Sequence, residues 1–160
     1  MRNDTRLSRM LHVLIHMDRH QQSATSDTLA QMLGTNPVVV RRTMALLKER
    51  GYVTSEKGHR GGWSLAKPLA EMTLLDIHQA LGSTSIFAIG LSTDHPQCLV
   101  EQAVNAALTD AFDEAQALLL ERLGSITLAQ LAEDFDTRFR DEPKVEAQGR
   151  ASPLIPGART

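Results

Sequence analysis

Between Leu33 and Val38 the chain stops one helix and starts another with only four residues to spare, Gly34-Thr35-Asn36-Pro37. Gly34 ends the short helical run from Asp27 to Leu33. Asn36 is a good cap for the next helix, and Pro37 falls at the first helical position, where a missing amide hydrogen costs nothing. Two helices joined by a short turn that contains Gly34 make a corner of the kind a helix-turn-helix uses. The helix that begins here runs to about Arg50 and stops at Gly51.

What lies on either side narrows the choice. Upstream, Leu7, Leu11, Leu14 and Ile15 recur at helical spacing from Leu7 to Asp18, predicting an amphipathic helix with Leu7, Leu11 and Leu14 on its inner face. The polar run Gln21 to Ser26 ends in the cap residues Thr25 and Ser26, and Asp27 suits the positive end of the next helix. Downstream, Tyr52-Val53-Thr54 and Trp63-Ser64-Leu65 are rich in strand formers and flank a turn with three glycines. Helix, short helix, tight turn, helix, hairpin is the order of a winged helix-turn-helix. The predicted fold class is therefore mainly α: a winged helix-turn-helix domain with a two-stranded wing plus a long dimerisation helix.

Beyond the hairpin, Thr73 is placed to cap a fourth helix through Leu81, ended by Gly82. After an irregular stretch containing Ser83, Thr84, Ser85 and Gly90, the segment Asp94-His95-Pro96 is expected to open the longest helix, reaching about Leu123. Gly124 and Ser125 break it, and Thr127 to Arg138 forms a last amphipathic helix. The expected division is residues 1–82 for DNA binding, 83–140 for a sensing loop, dimerisation helix and C-terminal helix, and 141–160 as a disordered tail. Apolar runs fall far short of the roughly 20 residues that span a bilayer, and the polar start with Asn3, Asp4 and Thr5 lacks the apolar run of a secretory signal, so a cytoplasmic location without membrane contact is expected.

Charge is divided along the chain. Residues 1–67 carry 11 lysines and arginines against 5 acids, whereas residues 68–142 carry 3 against 13. A basic first half and an acidic second half suit a protein that neutralises phosphates with one part and self-associates through the other. On the third helix, Val40, Met44 and Leu47 fall inward, leaving Val38, Arg42 and Ala45 opposite, with Val39 and Arg41 on the flanks. Small apolar groups can meet thymine methyls in a major groove, and arginine can reach guanine or phosphate. In the wing, Lys57, His59 and Arg60 stand among Gly58, Gly61 and Gly62, so the backbone can turn closely against phosphate while the cations attract it. The candidate contacts to double-stranded DNA are Thr25, Ser26, Asn36, Val38, Val39, Arg41, Arg42, Lys57, His59, Arg60 and Gly61.

Thr28-Leu29-Ala30, the stretch Leu46-Leu47-Lys48-Glu49-Arg50-Gly51-Tyr52-Val53, and the wing Gly58-His59-Arg60-Gly61-Gly62-Trp63-Ser64-Leu65-Ala66 resemble the Rrf2 family of bacterial winged-helix transcriptional regulators over about residues 5–138. Arg60 stands where that family commonly has glycine. The resemblance implies a helix after the wing like Thr73-Leu74-Leu75-Asp76-Ile77, a long helix that pairs two subunits, and a cysteine region at or before its start.

On the long helix, Val100, Val104, Ala107, Leu108, Ala111, Ala115, Leu118 and Leu119 make a broad apolar stripe, widened by Ala103, Ala106 and Ala117. A small basic domain cannot cover it, so a homodimer reading an inverted repeat is expected, with packing inside one subunit as the alternative. Cys98 is the single cysteine, near the start of that helix with Asp94 or His95 as cap and Pro96 in its first turn. The helix dipole there favours a thiolate, although a lone cysteine also serves simply as a small apolar residue. The family resemblance implies sensing in this region, by an iron-sulfur cluster or by oxidation of a lone thiol. One cysteine does not match the three-cysteine cluster pattern, so no cofactor is expected, and a cluster bridging subunits through Cys98 and a first-helix histidine is a lesser variant.

His12, His16 and His20 recur every four residues opposite the leucines, a ligand-like spacing without a supporting carboxylate or second cysteine, and no metal is expected. An enzyme is disfavoured because there is no phosphate-binding loop and no purposeful acid–base pair. A winged helix used for protein contact is disfavoured by the basic wing and by the scarcity of aromatic anchors, with one Trp and one Tyr. The expected role is a transcriptional regulator that represses by occupying its operator, with Cys98 modification releasing the DNA, or alternatively one that answers a small ligand.

Overall fold

The computed structural model describes residues 4–58, 61–82 and 89–141. Eight elements follow one another: α1 (Arg6–His20), α2 (Ser26–Leu33), α3 (Pro37–Glu49), β1 (Val53–Glu56), β2 (Gly62–Leu65), α4 (Leu74–Ala80), α5 (Leu99–Gly124) and α6 (Leu128–Asp141), with a single 3-10 turn at Leu69–Glu71. Mainly helical, with one small antiparallel hairpin, this is the winged helix-turn-helix expected. Of the tail predicted to be disordered at 141–160, Asp141 is instead the last residue of α6, and residues 142–160 lie outside the described residues. Among the described residues, no helix is long and apolar enough to cross a membrane.

The sharp corner forms as its residues dictate. Thr25 caps α2 by accepting a hydrogen bond from the Thr28 amide at 3.1 Å. Gly34 takes the left-handed conformation at φ +59°, which only glycine adopts without strain. The Asn36 side chain then accepts from the Val38 amide at 2.8 Å, and Pro37 opens α3. Farther on, Thr73 and Asp76 complete a reciprocal capping box at the start of α4. Burial pushes the Asp76 carboxyl up, but hydrogen bonds from Thr73 and from the Tyr52 hydroxyl, together with nearby Lys67, outweigh it and hold the group below its ordinary value.

Val40, Met44 and Leu47 of α3 are buried as predicted, joined by Thr43, whose hydroxyl donates to the Val39 carbonyl at 2.9 Å. The inner face of α1 includes the predicted leucines but is broader, with its centre shifted towards Met10, Val13 and Met17. Met10, Val13, Leu14 and Met17 are buried, whereas Leu7 and Leu11 are half-buried. The reason is that α1 packs against α4, α6 and β2 together, so the chain surrounds it on more than one side.

Two junctions tie distant segments. The Leu74 amide donates to the Ile126 carbonyl at 3.0 Å and the Leu128 amide to the Met72 carbonyl at 2.8 Å, so α6 begins beside the start of α4. From there α6 returns along α1: Arg19 pairs with Asp136 and lies 4.4 Å over the Phe135 ring. Leu128 is fully buried in the same core as Met10, Met44 and Met72.

The long helix starts later than predicted. Asp94, His95 and Pro96 precede α5, and Cys98 occupies the cap position without a side-chain capping bond. The Glu101 side chain accepts from the His95 amide at 3.1 Å and Gln102 donates to the Pro96 carbonyl at 2.9 Å, so side chains of the first turn fold the leading segment back onto the helix. Asp94 and His95 are therefore not caps.

Candidate nucleic-acid interface

The wing is a hairpin in which Val53 pairs with Leu65 and Glu56 with Gly62. A third segment joins its edge: Ala24 and Trp63 exchange backbone hydrogen bonds of 3.0 and 2.9 Å, extending the pairing to the residue before the Thr25 cap of α2. Trp63 then donates from its indole Nε1 to Ser26 Oγ at 2.9 Å. On the other strand, Lys48 of α3 donates to Ser55 Oγ at 2.6 Å. The wing is thus fastened to both helices of the corner, by residues that period and propensity mark only as a strand former and a surface lysine.

Close approach explains two of the glycines. A Cβ on Gly62 would lie 2.9 Å from the Ala24 carbonyl carbon and oxygen, and one on Gly61 would lie 2.3 Å from the Glu56 carbonyl oxygen. Both obstacles are backbone and cannot swing aside. Gly62→Ala is expected to destabilise the protein by about 1–3 kcal/mol, the usual cost of overpacking, and to loosen the wing. Chemical denaturation checks the first effect and amide exchange at Ala24 and Trp63 the second; an unchanged midpoint would contradict it.

Most of the candidate contacts are open to solvent. Asn36, Val38, Val39, Arg41 and Arg42 are exposed along the first two turns of α3, and Lys57 is exposed at the end of β1. Among the described residues, none of these three cations forms an ion pair with an acid. Ala45, expected on the outward face, is half-buried. Thr25 is exposed and serves α2 as its cap, while half-buried Ser26 holds the wing through Trp63. Gly61 is half-buried and closes the turn by donating to the Gly58 carbonyl at 3.0 Å. His59 and Arg60 lie outside the described residues. The arrangement offers a capped helix start, free guanidinium groups and a pinned hairpin, which are the means of entering a groove and gripping its walls.

The proposed dimer stripe is bare. Leu99 is 78 % exposed, Val100 71 % and Leu118 68 %; Val104, Leu108, Leu119, Ala107, Ala111 and Ala115 are exposed as well. Nothing along α5 is buried, and its C-terminal end meets α4, where a Cβ added to Gly124 would lie 3.4 Å from the Leu75 side chain. Cys98 is an exposed free thiol.

On α1 the three histidines follow one another in a row, His12 and His16 with tilted rings 4.7 Å apart and His16 and His20 with near-parallel rings 6.1 Å apart. Burial, then the neighbouring His12, His20 and Arg19, lower the pKa of His16, which favours the neutral ring. Among the described residues, no group of three histidine, cysteine or acidic side chains has an arrangement that would hold a metal ion.

Residues 3–134 match the family model described as Rrf2, iron-dependent transcriptional regulator. YwnA of Bacillus subtilis strain 168, assigned as an HTH-type transcriptional regulator, is 34% identical over 128 residues, covering 78% of this chain and 92% of YwnA. A crystal structure of an assigned transcriptional regulator from Lactobacillus plantarum superposes with a TM-score of 0.70 at 27% identity, covering 87% of this chain and 99% of the other. T. potens IscR superposes with a TM-score of 0.64 at 19% identity, covering 93% and 94%, a likeness of fold. The description of the family as iron-dependent does not fit the donors present here. A single exposed cysteine, with no metal-holding cluster among the described residues, is not a cluster ligand set.

Proposed function

Since this chain belongs to the Rrf2 family of transcriptional regulators, whose members bind DNA, we propose that it acts in the cytoplasm as a homodimeric repressor on an inverted-repeat operator. The relatives are regulators of transcription rather than enzymes. Residues up to about 82 meet the duplex, residues 83–140 pair the subunits and carry the sensing region, and α6 shares the core of the DNA-binding part. The observation that carries this reading is the exposed start of α3, where the cap Asn36 and the side chains of Val38, Val39, Arg41 and Arg42 face solvent beside a wing that Trp63 and Lys48 fix in place.

In this reading α3 enters the major groove from its N-terminal end. Arg41 and Arg42 take guanine edges or phosphates, and Lys57, with His59 and Arg60 beyond it in sequence, grips the adjacent backbone. Thr25, Ser26, Asn36 and Gly61 support these contacts by holding helix starts and wing in place, and the Asn36 side-chain amide retains donors for phosphate. Arg42→Ala is expected to weaken operator binding about tenfold or more, as loss of a bidentate base contact worth roughly 1–3 kcal/mol does. Titration of a selected operator by fluorescence anisotropy checks this; unchanged affinity for both Arg41→Ala and Arg42→Ala would place the reading surface elsewhere.

The signal enters through Cys98. Oxidation or alkylation of this exposed thiol, where the leading segment folds onto α5, would shift the reading domains relative to the dimer helix and release the operator. Native protein is expected to lose operator affinity under mild oxidant while Cys98→Ser keeps it. An equal response of both removes the thiol from the mechanism.

A further inference from the structure

We propose that Val38 and Val39 are thymine readers: each places its methyl groups against the C5-methyl of a thymine in the major groove, so that the operator half-site carries thymines where the start of α3 enters. This rests on the reading of α3 as the DNA-contacting helix and deepens it by naming the base.

Val38 is 63 % and Val39 48 % exposed, in the first turn of a helix whose inner face is already filled by Val40, Thr43, Met44 and Leu47. Neither valine contributes to the core. Two β-branched apolar side chains standing in water beside a polar corner are unfavourable unless something covers them.

Charge decides what does. Exposed Arg41 and Arg42 follow directly on the same helix, and no acid pairs with either among the described residues. An apolar protein partner would have to strip water from both guanidinium groups without compensation, whereas a duplex offers them phosphates. Within the groove, valine has no donor or acceptor and cannot distinguish bases by hydrogen bonds. Thymine is the one base that presents a methyl there. The geometry is also fixed beforehand, because χ1 of valine is stiff in a helix and the Asn36 side chain anchors the first turn through the Val38 amide at 2.8 Å.

The test begins by selecting duplexes from a random pool with the full-length protein, then resynthesising the best one with deoxyuridine in place of each thymine in turn. Deoxyuridine removes only the methyl. Binding is expected to weaken about fourfold at one or two positions in each half-site, the factor that burial of one methylene represents, and about fifteenfold when both symmetric positions are changed. Val38→Ala and Val39→Ala bind the thymine duplex less tightly and lose that sensitivity to deoxyuridine. A selected duplex that binds equally with uracil at every position would overturn the proposal while leaving DNA binding by α3 intact, as would valine variants that remain fully sensitive. Failure of the pool to enrich any sequence would overturn both this and the reading beneath it.

Discussion

Replacing Val104 and Leu108 together by aspartate is expected to yield a folded monomer whose operator affinity has fallen about hundredfold or more, the usual loss when two linked binding events become one. Both side chains are exposed on α5, Val104 at 51 % and Leu108 at 37 %, and no residue of that helix is buried, so the substitutions leave the core intact. Across a two-fold axis four new carboxylates would enter one closing apolar interface, where unpaired like charges are strongly disfavoured. Sedimentation and operator titration check the two halves of the expectation, with far-ultraviolet dichroism unchanged. A variant that still sediments as a dimer would place the subunit contact elsewhere.

Leu128→Ala is expected to lower stability by about 2–5 kcal/mol, the range for deleting a fully buried leucine side chain. Leu128 lies 54 residues beyond Leu74 in sequence, yet the two flank one junction, where the Leu128 amide reaches Met72 and the Leu74 amide reaches Ile126. The loss should therefore appear as one cooperative transition of the whole DNA-binding part, not as fraying of the last helix. Urea unfolding followed by Trp63 fluorescence reads this directly. A drop below about 1 kcal/mol, typical of surface sites, would mean that α6 is peripheral.

That junction also shows where sequence reading stops. The corner from α2 to α3 is legible because each signal acts within a few residues: a cap, a proline at the first position, a glycine that must turn left-handed. The capping box at Thr73 is legible for the same reason. Hydrophobic period predicts α6 as an element but not that it docks on α1 through Arg19, Phe135 and Asp136, since amphipathicity says that a face is covered and not by what. The inner face of α1 is wider than its leucines alone mark for a related reason: three packing neighbours widen the buried arc until methionines count as much as leucines. The start of α5 shifted because Glu101 and Gln102 capture the residues before it, a competition between local bonds that spacing does not resolve. At the interface, exposed valines and arginines on α3 were readable from helical phase. The committed hydroxyl of Ser26 was not, because its partner Trp63 lies 37 residues away.

The bridge from Ala24 to Trp63, reinforced by the indole bond to Ser26, bears on how the protein meets its target. A hairpin base anchored in this way surrenders its conformational freedom when the chain folds, so little entropy is left to lose at the duplex. The base of the wing therefore arrives as a rigid extension of the helix-turn-helix. Mutations at the anchor should show first in how fast the complex dissociates, while the rate of encounter stays with the surface cations.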